Sequence, residues 1–230
     1  VAWTIATLNL SAFTGTFGNA GDTSTVQLRT FTNNGSGTRT FNMGATTWTC
    51  GETGVNCVWQ ISGATNLTLN RDTSTLVFTG GATSGTPLCW FGTGTTYNNV
   101  TFDPYTVAIG SRGGYNCNTG NFTIAGNLTV GAPAYIEWQG SPNVTISGSL
   151  LFSGGTPSGT AITSMIPSDL SGAFTLTLSG GAATCSWCTF RGTTAATNGI
   201  TATNSFDLGR NSNLTITPPS AGGGGGGRII

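Results

Sequence analysis

The sequence predicts an all-β chain wound as a β-solenoid, a right-handed parallel β-helix with rungs of about 22 residues, and three observations carry that expectation. Apolar residues alternate with Thr at a period of two, the signature of strands, and no stretch repeats at the helical 3.6. Asn121–Val130 aligns position for position with Asn143–Phe152, without a gap. Small residues, including 37 Gly, punctuate the strands. A β-sandwich also has short strands in quick succession, but nothing in it requires repetition at a fixed register.

The elements follow in order. Residues 1–37 carry strand-like pairs, Leu8/Leu10 and Val26/Leu28, outside the regular spacing, and are expected to form an N-terminal β cap or attachment arm. The β-helix is expected over 38–217. It takes in Asn66–Leu69, Leu76–Phe78, Asn99–Phe102, Phe174–Leu178, Cys188–Phe190 and Asn213–Ile216 beside the two aligned units. Asn99–Phe102 precedes Asn121 by the same offset that separates Asn121 from Asn143 and reads as a third copy. Val100/Phe102, Phe122/Ile124 and Val144/Ile146 then share one face and Thr the other. A second apolar pair, Leu128/Val130 and then Leu150/Phe152, follows an Ala-Gly or Ser-Gly step. Gly80, Gly126, Gly148, Gly154, Gly180 and Gly192 end strands, where a sharp bend calls for positive φ. Residues 218–230 are a Pro/Gly-rich tail with six consecutive Gly before Arg228-Ile-Ile, expected as a tether or as a tail that orders on a neighbouring subunit. A start at Val1 is what a matured chain or a fragment shows.

Composition narrows the chemistry. Thr is roughly a fifth of the chain, charged residues are 6%, the net charge is zero, and there is neither Lys nor His. Without imidazole there is no Ser-His-Asp or Cys-His nucleophile and no His-ligated zinc, and without Lys no Schiff base or phosphate-loop lysine. Seven scattered Arg make no basic stripe, so no nucleic-acid partner is expected. Apolar runs fall far short of the roughly 20 residues that span a bilayer, so no membrane insertion is expected. The 37% apolar content argues against disorder.

Four strings stand out together: Phe41–Thr49, Asn66–Gly80, Thr96–Phe102 and Ala202–Ile216. Over roughly residues 38–230 the chain resembles a repetitive β-helical family of tailed bacteriophages, prophages and marine environmental sequences, whose members are tail-fibre-like or other structural proteins. The tail ending in Arg-Ile-Ile is similar to virion-protein C termini. The resemblance implies a virion or surface role and carries over no catalytic residue.

The six cysteines, Cys50, Cys57, Cys89, Cys117, Cys185 and Cys188, are candidate disulfide formers, an even number that suits an oxidising compartment. Cys50 and Cys57 flank a turn-rich loop and suit a hairpin bridge, and Cys89 with Cys117 suits stacked rungs. Cys185-Ser-Trp-Cys188 has redox or zinc spacing, but a second ligand pair and a βαβ context are both missing, so a local bridge or two buried thiols is the expectation. Stacked rungs also bring distant acids together, such as Asp103 and Glu137, the arrangement a glycosidase needs, although acids at rung corners are more often solvated or paired, as Arg71-Asp72 would be. Trp48, Trp59, Trp90, Trp138 and Trp187 are expected mostly as packing. Trp138, Glu137 and Trp90 are the candidate glycan contacts. Asn66, Asn99, Asn121, Asn127, Asn143 and Asn213 head Asn-x-Thr strings that fit turns and stacked ladders better than glycosylation.

The expected function is therefore a non-enzymatic structural subunit on a phage virion surface: a fibre, spike or decoration. It needs no cofactor, and it associates with itself, as a trimer for instance, with other virion proteins and with a host-surface glycan. A cellular adhesin or filament subunit and, third, a polysaccharide depolymerase are the alternatives.

Overall fold

The computed structural model describes residues 2–51, 58–62, 65–79, 88–105, 114–118, 120–153, 162–167 and 171–220. Within them the chain is all β: twenty-five strands, β1 to β25 in chain order, and no helix. Every pair of adjacent strands is parallel.

The strands fall into columns. The first holds β1 (Ala2–Asn9), β3 (Thr25–Thr32), β5 (Thr47–Cys50), β8 (Thr75–Phe78), β11 (Asn99–Phe102), β14 (Leu128–Gly131) and β17 (Leu150–Ser153). The second starts from the far half of β3. It continues through β6 (Val58–Gln60), β9 (Leu88–Trp90), β12 (Tyr115–Asn118), β15 (Ala134–Gln139), β18 (Thr163–Pro167), β21 (Cys188–Phe190) and β24 (Phe206–Asp207), so that β3 joins both columns into one fourteen-stranded sheet. A third side is made of β2 (Gly15–Phe17), β4 (Arg39–Asn42) and β7 (Leu67–Asn70), and of a separate sheet of β10 (Thr96–Tyr97), β13 (Phe122–Ile124), β16 (Asn143–Ile146), β19 (Phe174–Leu178) and β22 (Thr193–Ala196). The last sheet holds β20 (Ala183–Ser186), which packs beside β17, then β23 (Ile200–Thr203) and β25 (Leu214–Ile216). Between β5 and β24 every pair joins strands three apart in chain order.

Alternation supplies the core. Inward positions of successive strands lie opposite one another, as in Leu28, Cys50, Phe78, Phe102 and Val130 along the first column, all buried. Phe122, Val144, Leu176 and Ala195 do the same on the third side. Aromatic rings stack along the columns, Phe78 on Phe102 at 5.2 Å and Phe31 on Trp59 at 4.2 Å between centroids, and Phe91, just after β9, stacks on Phe122 at 4.4 Å. Outward positions are largely Thr, with Thr96, Thr123, Thr145 and Thr177 in one row; a β-branched residue with a polar tip suits a half-exposed pleat.

One sequence expectation changes. The regular spacing holds where Phe122 pairs with Val144 and Leu128 with Leu150. It does not hold for Asn99–Phe102: β11 lies in the first column, with Val100 opposite Leu128, a longer step along the chain, whereas Asn121 leads into the third side. Other steps are as long as that from Val144 to Leu176 and as short as that from Ile200 to Leu214. Residues before 38 are built of the same parallel pairs as those after, with β1 on β3, β2 on β4, and β3 on β5 and β6.

The strand-end glycines also have a different cause. Gly192 has φ +59°, but Gly126, Gly148 and Gly180 do not have positive φ. A Cβ at Gly148 would overlap the carbonyl of Gly126, and one at Gly180 the carbonyl of Gly148, so glycine is needed there for the close approach of successive backbones. Left-handed positions fall on other glycines, such as Gly44 and Gly92, and on Asn66, Asn213 and Trp187. Gly80 and Gly154 lie outside the described residues, as does the tail from 221 on.

Candidate functional site

The candidate site residues fall in three places. Trp138 is in the interior: its inward position on β15 is 1% exposed, and its ring lies between Phe122 and Phe174 at 6.3 and 5.8 Å. A buried indole offers no face to a sugar, which corrects its assignment as a glycan contact. Glu137 and Trp90 are half-buried on the outer side of the second column. Glu137 stands opposite Asn116 and Ile166, and Trp90 opposite Gln60. Trp48 and Trp59 are core, with Trp48 Nε1 donating to the Met43 carbonyl at 2.9 Å; Trp187 is half-buried at a left-handed corner.

The acids are dispersed over different elements. Asp103 follows β11, and partial burial raises its carboxyl above the usual range. Glu137 projects from the middle of β15 in another column. Asp22 accepts hydrogen bonds from the Ser24 hydroxyl and amide, which hold its carboxyl below the usual range. Asp207 accepts from the Gly209 amide and Asn211, closing a local turn. Arg71 reaches Asn98 Oδ1 at 3.3 Å. Among the described residues no group of three or more Cys, Asp or Glu is placed to hold a metal.

The asparagines of the Asn-x-Thr strings are engaged between strands. Asn99 Oδ1 accepts from the Asn127 amide at 2.9 Å, and Asn127 Oδ1 accepts from the Ser149 amide at 2.8 Å. Asn121 Oδ1 accepts from the Asn143 amide at 2.8 Å, and Asn143 Oδ1 from the Thr177 hydroxyl at 2.9 Å. Asn66 and Asn213, both left-handed, donate to the carbonyls of Ser36 and Ala195. Each amide side chain extends the backbone ladder around a corner where regular pairing stops.

The cysteines separate into three groups. Cys50, at the end of β5, is disulfide-bonded; Cys57 lies outside the described residues. Cys89 and Cys117 are free thiols at inward positions of β9 and β12. Cys185 and Cys188 are free and buried on either side of the Trp187 corner.

The N-terminal segment expected as a cap or attachment arm contributes a partly exposed apolar row. Trp3, Ile5 and Leu8 sit opposite Val26, Leu28 and Phe31, in line with the core, yet β1 has no strand on its other side among the described residues. Trp3 is 58% exposed. With Ile5, Phe17, Val26, Met43 and Trp48 it lines a cavity of about 240 Å³, and Asp22 stands at its wall. The alternation in Ala2–Asn9 marks a strand, but nothing local says that this strand is an edge.

Comparison of the chain with family models, curated proteins and solved structures gives no match.

Proposed function

We propose that this chain is a non-enzymatic structural subunit of a tailed-phage virion, a fibre, spike or decoration built as a right-handed, three-sided β-solenoid. The observation that carries the reading is the set of ladders of parallel strands in which, between β5 and β24, every pair joins strands three apart in chain order. A coil of three strands per turn produces that pattern, because each turn lays its strands on those of the turn before. The hand follows from the general right-handedness of crossovers between parallel strands. Such a coil buries a continuous core along its axis and adds length by adding turns, which suits a load-bearing or spacing element. Its Thr-covered outside is neutral and slow to be cut by trypsin, since the whole chain has only seven Arg and no Lys. The virion part of the reading rests on the sequence resemblance.

The apolar row Trp3, Ile5 and Leu8 on β1, which among the described residues pairs only with β3, fits attachment to a second copy or to another virion protein, because apolar side chains at a strand edge are stabilised by a neighbour. Immunogold electron microscopy of the native source, with antibody raised against the purified chain, tests the proposal. Label on tailed particles is the expected result, and its position separates fibre from decoration. Label confined to cell-attached filaments or envelopes would overturn the virion reading in favour of a cellular adhesin.

A further inference from the structure

Cys89 and Cys117 sit on neighbouring parallel strands, and the register places them face to face. Leu88 is the partner of Asn116, so the next position on each strand pairs Cys89 with Cys117. Both side chains are fully buried. The inward row reads Phe31, Trp59, Cys89, Cys117, Trp138: two small sulfur side chains between two indoles. Directly opposed residues on adjacent strands are separated by about 4.8 Å, inside the roughly 4.4–6.8 Å between Cα atoms that a disulfide spans. We propose that Cys89 and Cys117 are a redox pair that closes to a disulfide and ties two successive turns of the chain together.

The thiols are in mutual hydrogen-bonding contact, and burial pushes the Cys89 thiol well above its ordinary range. The closed core is therefore a poor place for thiolate attack, and the bond forms while the chain is folding, before the third side covers the pair. With a small disulfide such as oxidised glutathione as oxidant, the Cys89 thiolate attacks one of its sulfurs and releases one glutathione thiol. Cys117 then attacks the Cys89 sulfur and releases the second. The protein loses two protons and two electrons, and one glutathione disulfide becomes two thiols. The inference does not depend on the virion reading.

The Arg positions make the test direct. Once the chain is denatured, trypsin cuts after Arg71, Arg112 and Arg191, which leaves Cys89 alone in 72–112, and Cys117, Cys185 and Cys188 in 113–191. The chain is refolded in a glutathione redox buffer, alkylated under denaturing conditions, digested and read by mass spectrometry without reductant. The expected result is a linked 72–112/113–191 pair in most molecules. It is split by reductant, absent from Cys89→Ser and Cys117→Ser, and kept in the Cys185→Ser/Cys188→Ser variant. Separate peptides carrying alkylated Cys89 and Cys117, from protein whose circular dichroism shows the β fold, would overturn the proposal. A linked pair that survives Cys117→Ser would overturn it equally.

Discussion

Gly148→Ala tests the claim that glycine at the stacked corners serves close approach and not turn geometry. Gly148 does not have positive φ, so an alanine there meets no conformational penalty of its own. Its Cβ would, however, overlap the Gly126 carbonyl and come within 2.6 Å of Asn127 Oδ1. Neither neighbour gives way cheaply. The first is backbone, and the second is held by the hydrogen bond it accepts from the Ser149 amide at 2.8 Å. Overpacking typically costs about 1–3 kcal/mol, and a clash against backbone belongs at the upper end, about 3 kcal/mol. For a chain of this size that lowers the melting temperature by about 6–12 °C. Gly94→Ala is the matched control: it has φ +79° and open space around the would-be Cβ, so only the left-handed penalty of about 1 kcal/mol applies, or about 2–4 °C. Both are measured by calorimetry on the purified variants. If Gly148→Ala costs no more than Gly94→Ala, the close-approach argument is wrong.

Phe91 is fully buried, faces Phe122 at 4.4 Å and meets Phe78 and Tyr97 edge-on, so Phe91→Ala should cost about 3–5 kcal/mol in urea unfolding followed by Trp fluorescence. A loss below about 1 kcal/mol would show that these rings do not form the core. Asn127→Ala removes the acceptor for the Ser149 amide and should cost about 1 kcal/mol, with Asn127→Asp restoring much of it in the same assay; equal losses would dismiss the ladder. Tyr97, whose hydroxyl donates to the Phe91 carbonyl at 2.8 Å, is held protonated by burial well above its ordinary range. The unfolded chain therefore releases this proton first. Tyr97 contributes its full stability below about pH 10, and the contribution is lost at up to about 1.4 kcal/mol per pH unit above that. Urea titrations between about pH 9 and 11 should show that fall, shallower in Tyr97→Phe, and an identical slope in the two proteins would refute it.

Strands are legible in the sequence because alternation is local. Thr75-Leu-Val-Phe78 announces an inward Leu76 and Phe78 by its composition alone, and both are fully buried. The pairing is legible only where two turns have equal length, as from Phe122 to Val144. Elsewhere a fixed offset matches strands from different sides, as it does for Asn99–Phe102. Trp138 reads as a surface residue only because Glu137 stands beside it, whereas alternation sends the two neighbours to opposite faces. The cysteines are easier: the facing of Cys89 and Cys117 follows from strands three apart, which the spacing of the chain suggests without proving. The exposed Trp3 is out of reach, since exposure at an edge depends on what fails to pair with it, a property of the whole assembly of strands.

Four of the longer connections share a junction. Those at 51–57, 79–87, 103–114 and 154–162 join a first-column strand to the second-column strand that follows it, β5 to β6, β8 to β9, β11 to β12 and β17 to β18, whereas 18–24 joins β2 to β3. In the turn holding β14 and β15 the same junction is reduced to Ala132 and Pro133, and Trp187 alone joins β20 to β21. Insertions at a single corner leave the inward rows in register, because register depends on which residue opposes which along the column and not on the length of chain between columns. Extra loop also costs little, since closure entropy grows only with the logarithm of loop length. The connections between the two columns therefore differ in length while Leu28, Cys50, Phe78, Phe102 and Val130 keep their ladder.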